Sequence, residues 1–207
     1  MYKLYARNGA GSMAVEAALA FGGFPYEVEV VDRQADGSFP DSFHRINPRA
    51  EVPTLILPDH SVMTESAAML IYLAEVAPGA NLGPAPSAPN RAKFLRWVLF
   101  VATTVYMSDL RLFYPERYTT DAAGCDGIKA KALDGMNAEL GILADALGQG
   151  PFMLGEKMSA LDIYAAMLTS WVPDMGELFR NHANLKTLYN RVVAVPAVAK
   201  VWARNGM

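Results

Sequence analysis

Between residues 54 and 63 two β-like runs, "TLIL" and "SVM", are separated only by "PDH", and that spacing constrains the fold more than any other feature of the chain. So short a connection returns the second run alongside the first, which makes the pair antiparallel. Upstream, "YKLYA", "SMAVEAALAFGG" and "YEVEVVD" read as strand, helix and strand, and such a unit closes right-handed with its two strands parallel. Together the two requirements predict a mixed sheet of four strands with helices on its faces, in the order β-α-β, a polar connection, then β-β-α, ending in the helix "AAMLIYLAE".

This is a thioredoxin-like arrangement. The stretch "APGANLGPAPSAPN", residues 77 to 90, is dense in Pro and Gly and interrupts the periodicity as a linker does. Beyond it the patterns are long and helical, as in "RAKFLRWVLFVATTVYMSDLRLFY" and "IKAKALDGMNAELGILADALG". The chain therefore reads as α/β plus all-α: a thioredoxin-like domain over 1–78, a linker over 79–89 and an all-helical domain over 90–207. Within the helical part, Ser159 and Asp162 in "MSALDI" have the spacing of a capping box that starts a buried helix, a structural role.

Composition narrows the partner. An apolar fraction of 52% describes a packed chain, and a net charge of −3 gives no electrostatic reason to expect nucleic acid or an anionic membrane surface. A small molecule is the expected partner. Cys125 is the only cysteine, so no intramolecular disulfide forms, and a reducing, cytoplasmic location fits. The start "MYKLYARNGAG" lacks the pattern of a signal peptide, and no apolar run approaches the roughly 18 residues of a membrane span. His44, His60 and His182 show no metal-ligand spacing, so no metal is expected.

The segment "VPTLILPDHSVMTES" carries the chemistry. Pro53 has no N–H and opens an apolar strand, so the sheet edge there is left for another partner. A cis Val52–Pro53 bond is predicted, which would offer the Val52 backbone to an extended peptide. At the other end, Glu65 and Ser66 stand where a helix begins, beside unpaired N–H groups and the positive end of its dipole. A carboxylate suits those N–H groups and the Ser66 hydroxyl, while Glu65 suits an ammonium. Each feature alone also has a plain structural reading, an edge device or a helix cap. On one edge they suit a short peptide with a free amino-acid end.

The stretch "INPRAEVPTLILPDHSVMTESAAMLIYLAE", residues 46 to 75, resembles the glutathione-binding segment of the cytosolic glutathione S-transferases, with N-P-x-x-x-V-P, E-S and I-x-x-Y-L elements in register. "MSALDIYAA" is similar to the family's helix-capping motif, so the resemblance covers essentially the whole chain. It implies glutathione as co-substrate, contacted by Val52, Pro53, Glu65 and Ser66, and a homodimer with a seam near the helix from Trp97 to Tyr106.

Such chemistry needs a thiolate. A thiol of pKa about 8.5 is only about 3% ionised at pH 7, and lowering it by about two units takes roughly 2.7 kcal/mol. In "RNGAGSMAVEAAL", Ser12 follows a glycine-rich turn and reads as the N-cap of the first helix, where its hydroxyl either activates the thiol or merely caps. The bacterial beta-class relatives that this turn most resembles carry a cysteine, G-A-C-S, where Gly9-Ala10-Gly11-Ser12 stands here. Without it, Ser12 is the candidate catalytic residue. Tyr106 and Met107 lie where those relatives often place a polar residue against the thiol, and are the candidate substrate-pocket residues, although helical aromatics and methionines also serve as core. The expected function is conjugation of glutathione to small apolar electrophiles. A glutathione-dependent isomerase, dehalogenase or peroxidase, or a non-catalytic glutathione- or ligand-binding protein, stays open as an alternative.

Overall fold

The computed structural model describes the whole chain, Met1 to Met207. Its contacts form two compact units, Met1–Ala88 together with Val193–Met207, and Pro89–Val192. The first part of the chain runs β1 (Tyr2–Ala6), α1 (Ser12–Phe21), β2 (Tyr26–Val30), α2 (Asp41–His44), β3 (Thr54–Ile56), β4 (Val62–Met63) and α3 (Ser66–Val76). Helices α4 (Arg91–Phe100), α5 (Tyr106–Phe113), α6 (Cys125–Leu147), α7 (Ala160–Thr169), α8 (Met175–Asn181) and α9 (Ala183–Val193) follow, and α10 (Pro196–Arg204) comes last.

The sheet has the order β2-β1-β3-β4, with β1 parallel to β2 and antiparallel to β3, and β3 antiparallel to β4. This is the mixed thioredoxin-like sheet that the connection lengths require. Leu4 and Leu55 face one another in the β1/β3 register and are fully buried. Tyr5 and Ile56, on the opposite face by the period of the strand, join a second cluster with Val31, Phe39, Phe43 and Ala50. α1 packs on β1, on α3 and on α10.

The position of α10 departs from the sequence reading. Val193–Met207 was expected within the helical domain, but its contacts put it in the same compact unit as the sheet. Val198, Val201 and Trp202 are its buried face. Arg204, at its end, pairs with Glu16 of α1, a carboxylate only 3% exposed. A buried charge of this kind is tolerable only with its partner in place.

The second unit is helical. The long apolar pattern from residue 91 onward is not one uniform α-helix: Val101–Val105 forms a π-helical stretch between α4 and α5. Ser159 and Asp162 form the expected capping box at α7. The Asp162 carboxylate accepts from the N–H groups of Met153 and Ser159, both at 2.8 Å, and from the Ser159 hydroxyl at 2.7 Å. α7 is buried along its entire length, as its all-round apolar pattern requires.

With Glu139 Oε2 and Trp202 Nε1, Asp109 is one of three exceptions to this satisfaction of buried polar groups. It lies 3% exposed on α5, its Oδ1 has no hydrogen-bond partner, and burial pushes its carboxyl up to about 7. The folded chain therefore holds this proton between about pH 4 and 7, where an unfolded aspartate has lost it. The folded state binds more protons over that window, so Asp109 makes stability fall as pH rises through it. Relative to wild type, Asp109→Asn should gain on the order of 2 kcal/mol between pH 4.5 and 7.5 in urea unfolding. Parallel pH profiles would show that the carboxyl ionises normally.

Candidate functional site

Strand register brings the sequence-predicted residues of the first unit to one end of the sheet. Tyr5 pairs with Thr54, so the end of β1 lies beside the start of β3 and thus beside Pro53. Leu55 pairs with Met63, so the chain leaving β4 toward Glu65 emerges at that same end. α1 and α3 both begin there, each with first-turn N–H groups that no intrahelical carbonyl can satisfy. Two positive dipole ends thus lie at the end of the sheet where β3 begins.

The loop before β3 is built by Asn47. Its side chain is 4% exposed, donates from Nδ2 to the Thr54 hydroxyl at 2.9 Å and to the Glu51 carbonyl at 3.0 Å, and accepts the Arg49 N–H at 3.1 Å. Thr54 in turn donates its hydroxyl to the Glu51 carbonyl at 2.8 Å. This network folds residues 47 to 54 back on themselves, with Ala50 at φ 48. Val52–Pro53 is cis, as expected, and both residues are half-buried at the edge.

Glu65 and Ser66 occupy the start of α3. Glu65 is the N-cap residue, at φ 66 and ψ 104, yet its side chain makes no capping hydrogen bond. A non-glycine residue in this region carries a cost of order 1–3 kcal/mol, and such outliers cluster at ligand-binding positions. Its exposed carboxylate is therefore not a helix cap.

The reading of Ser12 needs a correction. Gly11, not Ser12, is the N-cap residue of α1, and it has helical φ −57 and ψ −12. The chain thus enters the helix one residue early, and Ser12 is its first residue. The Ser12 hydroxyl turns back to Arg7, donating to its carbonyl at 3.1 Å and accepting its N–H at 3.2 Å. Ser12 is 1% exposed, and it closes the turn that contains Gly9 at φ 66.

Tyr106 and Met107 belong to the helical unit, at the start of α5. The Tyr106 ring meets Tyr164 edge-on, with centroids 6.3 Å apart, and Trp171 at 5.7 Å. Met136, Met158 and Met167 are buried, so the methionines are mostly packing.

Residues 12–76 match the glutathione S-transferase N-terminal domain. The chain is 30% identical to glutathione S-transferase GST-4.5 of Xanthomonas campestris, over 99% of each chain. This chain belongs to the glutathione S-transferase family. Among solved structures of the family, a glutathione transferase homologue from Sulfitobacter with bound glutathione is 26% identical and superposes with a TM-score of 0.87, over 100% of this chain and 99% of that one. A beta-class glutathione S-transferase of Sphingomonas chungbukensis is also 26% identical, with a TM-score of 0.83 over 99% and 98% of the two chains.

Asn47 was not singled out from the sequence beyond its place in a motif; a buried amide that serves three backbone and hydroxyl groups is visible only once the loop is folded. Asn47→Ala leaves the Arg49 N–H without its acceptor and removes both Nδ2 bonds, and should lower stability by about 2 kcal/mol. A urea midpoint equal to wild type would show that the loop holds without it.

Proposed function

We propose that this transferase-family chain binds glutathione at the sheet end and conjugates its thiolate to small apolar electrophiles. The observation that carries the reading is Glu65: an acid held at positive φ, exposed and unused as a cap, beside two helix N-termini and the Val52–Pro53 edge. In the bound state the Val52 backbone pairs with the tripeptide, Ser66 and the first turn of α3 take the γ-glutamyl carboxylate, and Glu65 takes its ammonium. The known Sulfitobacter complex with glutathione supports this choice of ligand. The protein acts as a cytoplasmic homodimer, and Tyr106 and Met107 contribute to the electrophile pocket. The Trp97 ring is buried, so any subunit seam near it is formed by other residues of that helix.

Thiol activation falls mainly to the start of α1. For the Ser12 hydroxyl to donate to a thiolate it must leave the Arg7 carbonyl, exchanging a neutral bond of about 0.5–1.5 kcal/mol for a charge-assisted one of about 1.5–3. The net gain is about 1 kcal/mol, and the helix N-terminus adds about 0.3–1. Their sum lowers the thiol pKa by about one unit. This is half the shift sought from the sequence.

One observation favours a second reading, a glutathione-binding protein without turnover: the proton of Ser12 is already engaged and its side chain is buried. Turnover of an aryl halide with glutathione separates the two. If the transferase reading holds, Ser66→Ala should weaken glutathione binding by about 1–3 kcal/mol in calorimetry. Ser12→Ala should raise the bound thiol pKa by no more than about one unit, followed by ultraviolet titration of the thiolate. Binding without turnover, and with a thiol that titrates at its free value, would establish the second reading. No glutathione binding at all would remove both.

A further inference from the structure

The turn that opens α1 is held from a distant part of the chain. Asn205 Oδ1 accepts the Gly9 N–H at 2.9 Å, across 196 residues of sequence. Its Nδ2 donates to the Val201 carbonyl at 2.8 Å, and its own N–H bonds the carbonyls of Val201 and Trp202. The side chain is thus fixed in orientation, with its oxygen aimed at the turn. One residue earlier, the Arg204–Glu16 pair fixes the end of α10 on α1, one helical turn beyond Ser12. Gly9, at positive φ with no side chain, has no packing of its own to hold it. Its position depends on two ties, the Ser12–Arg7 bonds from within and Asn205 from outside.

We propose that Asn205 is a positioning residue for the thiol site: through the Gly9 N–H it holds the Gly9–Ser12 turn so that the N-terminus of α1 meets the thiolate in one geometry. The inference rests on the reading of this turn as the thiol site. The neutral amide matters, because a carboxylate in its place would keep the acceptor but set a negative charge beside a developing thiolate, which opposes ionisation. Asparagine supplies the bond without that charge.

Three variants of the full chain separate the tie from the charge and from stability. Asn205→Ala should speed exchange of the Gly9 amide about ten-fold and raise the bound thiol pKa by about half a unit, with kcat falling more than KM rises. Its affinity for S-methylglutathione, which has no thiol to ionise, should stay within about two-fold of wild type. Asn205→Asp should keep the Gly9 amide protected yet raise the thiol pKa further. Val198→Ala, which thins the buried face of α10 without touching the turn, should lower thermal stability and leave both the Gly9 exchange and the thiol pKa unchanged. A depressed wild-type thiol pKa that Asn205→Ala does not move would overturn the positioning role alone, as would Val198→Ala moving it equally. A wild-type chain that binds no glutathione would instead overturn the parent reading, and the thiol role with it.

Discussion

β1 and β3 run in opposite directions in a shared register, Lys3 against Ile56 and Tyr5 against Thr54, so the end of one strand is the start of the other. Because β3 and β4 are also antiparallel, the exit of β4 returns to that end. Everything at the candidate site follows from this polarity. A slip of one residue would put Tyr5 and Thr54, themselves buried on the opposite face, where the fully buried Leu4 and Leu55 pack, so packing on both faces enforces the register that the site needs. The site is then assembled from chain ends and turns, while β1 and β3, which position it, are largely buried.

Backbone supplies most of what this site offers a ligand, and side chains mostly hold that backbone. Asn47 shapes the loop before Pro53, Ser12 closes the turn before α1, and neither presents its polar atoms outward. Only Glu65 does so at a cost in backbone conformation. A peptide ligand suits such a surface, because main-chain recognition gives affinity and a few charged groups at one end give direction.

The sheet order was legible because it depends on connection length and periodicity, both local in sequence. The same holds for the cis Val52–Pro53 bond and the Ser159–Asp162 capping box. Ser12 was misplaced by one residue, because serine is so strong an N-cap former that its alternative partner, the Arg7 backbone, carried no weight in the pattern. Glu65 was recognised, but its positive φ was not, since nothing about a glutamate in sequence signals that conformation. The tie from Asn205 to Gly9 was illegible for a different reason: its partners are 196 residues apart and neither belongs to a periodic pattern. Long-range polar contacts between loops leave no trace in a single sequence.

The association of Val193–Met207 with the sheet has a consequence for how the chain is made. During synthesis, β1 through α3 emerge first, but Glu16 has no Arg204 and α1 has no α10 until the whole intervening helical unit has followed. The apolar surface of α1 that α10 covers is exposed throughout that interval, and closing it joins segments of high sequence separation, the slowest kind of contact to form. The helical unit, continuous from Pro89 to Val192, is under no such constraint and can complete its own core earlier. The unit that holds the sheet is therefore completed after the helical one, and its nascent α1 surface depends on a segment synthesised only after that helical unit.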